Sequence, residues 1–514
     1  MKRKFYIELI YLILLGALTS LSLPPFNYVI INFLTLTLFY IFLVKKFDSK
    51  KNKLFFLLYG WLFGFGYFVS NLYWISISLT FDESFNFLIP ITIILIPGFL
   101  GIFYALVAYL FIILKPRKNL SAFFLFSLIF GVMEFIRGSI LTGFPWNLIA
   151  YSFSSNIEIL SITSVIGTYS FNLFCISLFL SPSIFILRDK RNDIIICIAF
   201  LITTLSFFIY GSQNIDKFYK AKIKQHDYKI RIVGSNISID RFLFDIDPVS
   251  TINELIETSN LPKNEKVILI WPEGILPGLS QDTLIEFDWL FDDKLNKNHL
   301  LVLGINAKIN ENEIIKYFNS LSIYDHKLNL INSYNKINLV PFGEFLPIEQ
   351  VLRSLGLNTI TNNYQSYTSG NKRKILDIKT TEFSVKILPL ICYEIIYSGR
   401  LFQNNDFDFI FNISEDGWFG NSIGPSQHFA HNIFRAIESG KYILRSTNNG
   451  ITAIINPIGV VEKKLNLNET GYIDFTESRV INPTLFSQYG NKIFGLIILL
   501  YIFLIFSFNK LRNE

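Results

Sequence analysis

Runs of about twenty apolar residues, each long enough to cross the hydrocarbon core of a bilayer as a helix, recur along this chain and constrain its fold more than any other feature. By that criterion about eight candidates are found, at residues 5–23, 26–44, 54–77, 87–114, 120–141, 159–187, 194–210 and 493–508. The composition agrees: 51% of residues are hydrophobic, only 17% are charged, and the mean hydropathy is +0.40. A soluble chain of 514 residues would carry more charge. Met1-Lys2-Arg3-Lys4 and the apolar run after it resemble a signal peptide, but no small-x-small cleavage site precedes Pro24-Pro25. The run therefore reads as an uncleaved first span. Pro97-Gly98 inside the long fourth span predicts a kink or tilt there.

The loops fix an orientation. Lys45, Lys46, Lys50, Lys51 and Lys53 follow the second span, Lys115, Arg117 and Lys118 the fourth, and Arg188, Lys190 and Arg191 the sixth. The alternate loops carry Pro24-Pro25, then Asp82-Glu83, then the uncharged stretch 142–155. Basic residues stay on the cytoplasmic side, so both termini are expected there and the segment between spans seven and eight on the outer side. The expected domains are a bundle at 1–211, an outer domain at 212–488, and a final helix with a short tail at 489–514.

The outer segment has a different texture. Residues 229–237, 266–271, 300–309, 383–391 and 406–413 read as short buried strands. Residues 250–259, with Ser250 as N-cap, 283–297 and 425–439 have helical spacing, and 451–464 reads as a hairpin turning at Asn456-Pro457-Ile458-Gly459. Pro483 and the polar stretch to Asn491 read as a linker into the last span. Strands alternating with helices predict a layered α/β domain. Its Lys and Arg residues form no cluster of the kind nucleic-acid binding requires, which excludes that class of partner.

Chemistry concentrates where strands end. Of the three cysteines, Cys175 and Cys197 lie in apolar runs, so Cys392 has no partner within the outer domain, and no metal-type Cys/His spacing occurs. An unpaired thiol facing an oxidising compartment is a liability unless it has a use. Cys392 ends an apolar strand and is followed by Tyr393-Glu394, the pattern of a nucleophile held in a strand-to-helix turn. Glu273 ends the strand leading into Trp271-Pro272-Glu273, and Lys336 follows Tyr334-Asn335. A thiol with an ordinary pKa of about 8.5 needs a base to take its proton and a cation to steady the anion. Glu273 and Lys336 supply those two groups.

The order Glu, Lys, Cys resembles that of the nitrilase, or carbon–nitrogen hydrolase, superfamily, whose fold is an αββα sandwich. Trp271-Pro272-Glu273, Tyr334-Asn335-Lys336, Val340-Pro341-Phe342-Gly343-Glu344 and Cys392-Tyr393-Glu394 resemble, more narrowly, the bacterial apolipoprotein N-acyltransferases. So do Asp416-Gly417-Trp418-Phe419-Gly420, Arg445-Ser446-Thr447-Asn448-Asn449-Gly450 and Thr142-Gly143-Phe144-Pro145-Trp146. The resemblance covers nearly the whole chain. It implies a multi-pass helical membrane bundle with an extracytoplasmic nitrilase-type domain in the bacterial inner membrane, and no cofactor or metal. The implied reaction takes an acyl chain from a membrane phospholipid onto Cys392 as a thioester. It then passes that chain to the α-amino group of a diacylglyceryl-cysteine at the N-terminus of an apolipoprotein. Glu273 is then the general base and Lys336 the electrostatic stabiliser, with Glu344, Tyr393 and Glu394 in support. One departure stands out: the family carries a tryptophan shortly after its first domain strand, where this chain offers only Phe242 and Phe244.

Loops 345–370 and 417–427, with Phe345, Leu346, Leu355, Trp418, Phe419 and Ile423, read equally as lids that dip toward lipid or as ordinary core packing. Glu134 and Arg137, one turn apart in the fifth span, read as a structural pair, and His428 and His431 lack a third ligand for a metal. Two rival functions follow from the same residues: an anchored amidase or nitrilase acting on a small nitrogen compound, and a transporter or sensor with a degenerate outer domain. Eight spans argue against the first. The complete triad and the scarcity of ionisable pairs in the spans argue against the second.

Overall fold

The computed structural model describes residues 2–47, 52–244, 246–311, 314–354, 359, 366–401 and 406–510. Lys50, Lys51 and Leu355, used in the sequence reading, lie outside them, as does most of 355–365 in the first expected lid. The chain divides into two compact units. One comprises Met1–Lys217, Asn421–Ala430 and Thr484–Glu514; the other comprises Phe218–Gly420 and His431–Pro483.

Among the described residues, eight helices in the first unit are long and apolar enough to cross a membrane. They match the expected spans closely, because in lipid each helix must satisfy its own backbone and therefore announces itself as one uninterrupted apolar run. Helix Ile89–Leu114 runs through Pro97 without ending, and Gly98 O accepts a bond from Trp61 Nε1 at 2.9 Å. The sixth span is shorter than its apolar run, and it bends at Gly167, with φ of 73°, where a Cβ would lie 2.0 Å from the Phe486 ring. Without a hydrophobic drive between helices, close backbone approach does the packing. Helix Phe55–Leu72 meets its neighbours through glycines: a Cβ on Gly60 would lie 2.2 Å from Tyr104 O, and one on Gly66 2.1 Å from Ile13 O. Ser177 and Tyr501 hydroxyls, 2.7 Å apart, tie the last helix to the sixth.

Glu134 and Arg137 form a fully buried ion pair. The guanidinium also donates to Phe144 O and to Asn147 O, so the pair fastens the Gly143–Asn147 loop to the fifth helix, as its structural reading requires. Trp146 Nε1 in that loop donates to Gln427 Oε1 at 2.9 Å, and Gln427 Nε2 to Asn71 Oδ1 at 3.2 Å. His428 stacks on Trp146.

The second unit is an αββα sandwich built on two six-stranded sheets. The first contains β1 (Ile223–Gly234), β2 (Val267–Ile270), β3 (His299–Glu311), β4 (Ile314–Tyr324) and β5 (Leu330–Asn335). The second contains β6 (Leu376–Lys379), β7 (Ser384–Ile391), β8 (Phe409–Glu415), β9 (Tyr442–Asn448), β10 (Thr452–Ile455) and β11 (Val461–Leu465). The last strand, β12 (Gly471–Arg479), returns to the first sheet, so the orders are β12-β1-β2-β3-β4-β5 and β11-β10-β9-β8-β7-β6. β1-β2-β3 and β7-β8-β9 are parallel, and β2, β8 and β9 are buried along their whole length, as strands covered on both faces must be. Helix Pro248–Ser259 packs Ile252 and Leu255 onto Leu269, Trp271, Leu301 and Leu303. On the second sheet, Ile433 and Ile437 of helix Gly424–Ser439 lie against Gly459.

Several local expectations change. Asp247, not Ser250, caps the first domain helix: its Oδ1 accepts from Val249 N at 2.9 Å, with Pro248 in the first turn. Residues 283–297 form only a 3₁₀ segment, Leu284–Leu290, broken at Phe287; Asp288, Asp292 and Asp293 are poor helix formers. The linker holds a short helix, Leu485–Tyr489, capped by Thr484. The hairpin turns as expected, on Asn456 Oδ1 accepting from Ile458 N and Val460 N.

The glycine contacts give a direct check of the bundle. Gly60→Leu forces a side chain into the backbone of the neighbouring helix and is expected to cost at least about 1–3 kcal/mol. In a thermal-unfolding assay in detergent the variant should melt well below the wild type, whereas Gly495→Leu, with nothing within 4 Å, should melt with it.

Candidate active site

Each of the three expected residues sits just past a strand end in the second unit. β7 delivers Cys392 into a 3₁₀ turn, Cys392–Ile396, with φ of 46° at the cysteine itself. A non-glycine residue held left-handed is strained, and the strain turns its side chain away from the strand's own alternation. The strand-then-turn geometry is the one the sequence pattern predicts at this position. Glu273 follows β2 through Trp271-Pro272, and Lys336 follows β5. All three are buried: 8% of Cys392, 5% of Glu273 and 1% of Lys336 is exposed.

Lys336 Nζ donates to Glu273 Oε1 at 3.1 Å and to Glu344 Oε1 at 2.9 Å. A residue that sequence reasoning missed completes the arrangement. Asn319, on β4, donates its Nδ2 to the same two oxygens, at 2.7 Å each. Backbone amides take the remaining carboxylate oxygens: Glu415 N donates to Glu273 Oε2 at 2.9 Å and Val340 N to Glu344 Oε2 at 2.8 Å. Burial would lower the Lys336 pKa, but the charges of Glu273 and Glu344, with Cys392, outweigh it and hold the ammonium well above its ordinary value.

The thiol feels the same field. Burial first, and then the charge of Glu273, push the Cys392 pKa well up, while Lys336 and the Ser414 hydroxyl pull it down. The balance of these effects favours the neutral thiol at rest. Beneath the turn lies a buried polar scaffold. Ser414 Oγ donates to Asp416 Oδ1 at 2.7 Å, and Arg445 Nη2 to Asp416 Oδ2 at 2.7 Å. Arg241 pairs with Glu415, which also accepts from Asn448 Nδ2 at 2.8 Å. The Asp416 and Arg445 stretches singled out in the sequence thus meet under Cys392.

The supporting residues separate into two groups. Tyr393 and Glu394 are buried in the cysteine turn, and the Tyr393 ring meets Tyr397 edge-on at 5.6 Å. Phe345, Trp418 and Phe419 are half-buried, and Leu346 is buried. Trp418 packs on Phe242, with ring centres 5.0 Å apart, and Phe242 in turn covers Gly274 beside Glu273. Phe244 is exposed, so Phe242 is the aromatic of that stretch that packs beside Glu273.

The arrangement defines a class: a membrane bundle joined to a nitrilase-type domain whose buried cysteine lies in the field of a glutamate and a lysine. Residues 15–179 match the apolipoprotein N-acyltransferase N-terminal domain, and residues 245–479 match the carbon-nitrogen hydrolase domain. The apolipoprotein N-acyltransferase of Rhizobium leguminosarum bv. trifolii is 31% identical over 90% of this chain and 89% of its own. That of Rickettsia bellii is 32% identical over 98% and 97%. Among solved structures, Saccharomyces cerevisiae Nit3, a member of branch 10 of the nitrilase superfamily, is 15% identical over 49% of this chain and 90% of its own, with a TM-score of 0.33. This chain belongs to the apolipoprotein N-acyltransferase family.

The two charges acting on Cys392 predict opposite effects on its alkylation by iodoacetamide, followed by intact mass at fixed pH. Glu273→Gln removes the charge that raises the thiol's pKa and should speed alkylation. Lys336→Met removes the one that lowers it and should slow alkylation. The two changes should be of opposite sign, because the thiolate fraction at fixed pH follows the pKa.

Proposed function

We propose that the protein is a phospholipid-dependent N-acyltransferase acting on the N-terminal diacylglyceryl-cysteine of bacterial apolipoproteins. The observation that carries this reading is Cys392, strained at a strand end between the opposing charges of Glu273 and Lys336, in a chain with eight helices, among the described residues, long and apolar enough to cross a membrane. Its relatives bear the name of that activity.

In the first step Glu273 takes the thiol proton and Cys392 Sγ attacks an ester carbonyl of the phospholipid. The Lys336 ammonium steadies the oxyanion, the acyl C–O bond breaks, and the proton passes to the departing lysophospholipid oxygen. In the second step the apolipoprotein α-amino group attacks the thioester. Glu273 takes the amine proton and returns it to Sγ as the amide forms. Glu344 and Asn319 hold Lys336 and Glu273 in register, Tyr393 and Glu394 support the turn, and Phe345, Trp418 and Phe419 line the approach of the lipid chains. Exclusion of water matters because hydrolysis of the thioester competes with aminolysis.

The domains are assigned to residues 1–211, 212–488 and 489–514. By the distribution of Lys and Arg in the loops, both termini are cytoplasmic and the catalytic domain lies on the outer side of the inner membrane. Lateral diffusion in the bilayer brings both substrates.

The test uses purified full-length protein in detergent, a dioleoyl phospholipid and a diacylated lipopeptide. The peptide should gain the mass of one acyl chain, and the enzyme alone should carry the same mass on Cys392. Cys392→Ser should abolish both, while Glu273→Gln and Lys336→Ala should stop before the thioester. No gain on the peptide would leave the amidase reading in its place.

A further inference from the structure

Glu394 is fully buried and accepts hydrogen bonds at both carboxylate oxygens. Oε2 takes Ile391 N at 3.0 Å, at the strand end that delivers Cys392. Oε1 takes the Tyr334 hydroxyl at 2.7 Å, Ile337 N at 3.0 Å and Asn338 N at 3.3 Å, the residues that flank Lys336. One carboxylate thus fastens the cysteine turn, which follows the second sheet, to the lysine segment, which follows the first.

A buried carboxylate needs its charge compensated, or the groups around it rearrange. Arg373 supplies the compensation: its Nη2 lies 3.0 Å from Glu394 Oε1 and 2.9 Å from Asn338 Oδ1. Its side chain is only 13% exposed, although it stands between Lys372 and Lys374 in sequence. Neighbouring bonds hold the same segment in place, Gly370 N to Lys336 O at 2.8 Å and Ser369 Oγ to Ile337 O at 2.7 Å. Arg373 therefore grips both the shared carboxylate and the chain just past the lysine.

We propose that Arg373 is a positioning residue for acyl transfer, which fixes the placement of the Lys336 ammonium against Cys392 by holding Glu394 and Asn338 together. The proposal rests on the acyl-transfer reading of Cys392. Arg373 touches no reacting atom and acts through Glu394. Its loss should slow thioester formation without weakening phospholipid binding.

The experiment measures acyl-enzyme formation by intact mass as a function of dioleoylphosphatidylethanolamine, in full-length wild type, Arg373→Ala and Arg373→Lys. Arg373→Ala should lower the maximal rate by about 10²-fold, the scale of a small misplacement of a catalytic group. Half-saturation should stay within about twofold of wild type, the pattern of an interaction that matters in the transition state. Methylguanidinium added to Arg373→Ala should restore part of the rate. Arg373→Lys keeps the charge but loses the planar fork, and should fall by about tenfold.

An unchanged rate in either variant overturns the proposal. So does a loss that appears as weaker half-saturation and that methylguanidinium does not restore. Should Arg373→Ala not fold, the same two constants for Arg373→Lys decide. If the wild type forms no thioester, the acyl-transfer reading fails separately, and iodoacetamide alkylation of Cys392 decides on positioning: slower in Arg373→Lys supports it, unchanged overturns it.

Discussion

Two buried carboxylates, Glu273 and Glu344, share the same two donors, the Lys336 ammonium and the Asn319 amide. Like charges this close repel strongly in a low-dielectric interior, so both donors are needed to hold them. That requirement sets the register of everything around it. Glu273 must leave β2, Asn319 must face inward from β4, Lys336 must leave β5, and the chain must turn back at Val340 to bring Glu344 in. The backbone reinforces the arrangement, with Lys336 N donating to Asn319 O at 2.8 Å. Removing any one member leaves a buried charge or donor without compensation.

The thiol is governed by the same cluster. Burial and Glu273 keep Cys392 protonated at rest, and Lys336 is placed to favour the anion once the proton has moved. A thiol held in its protonated form is less open to oxidation than a thiolate. The strained φ at Cys392 persists because Glu394, accepting from Ile391 N, fixes the residue just before it.

How much of this the amino-acid order reveals depends on where each residue finds its partners. The spans are legible because a lipid-facing helix satisfies its backbone locally. β2 and β8 are legible because the sandwich buries both faces, which demands apolar side chains. β9 is buried just as completely, yet Arg445, Ser446, Thr447 and Asn448 break the apolar pattern, and no strand is expected there. Their partners are Asp416, Val233 O, the Thr452 hydroxyl and Glu415, distant in sequence or on other strands. Asn319 and Arg373 escape notice for the same reason: an amide in a polar strand and an arginine in a basic run look solvated until the fold supplies buried acceptors. Cys392 and Glu273 are readable because each stands at or just past an expected strand, whereas Lys336 follows β5, which has no apolar run to announce it.

The loop after Lys336 couples the cluster to the surface of the domain. Phe342 and Ile348 both have positive φ, at 65° and 52°, and their side chains are 50% and 78% exposed. For a β-branched residue such as Ile348 that conformation is costly, and an exposed apolar side chain gives water-facing packing nothing in return. Val351 is exposed in the same loop. The loop's root is Glu344, whose Oε2 holds Val340 N and whose Oε1 holds Lys336. Glu344 therefore ties the start of this loop to the lysine, so the loop's root and the charge placement beside the thiol share one carboxylate.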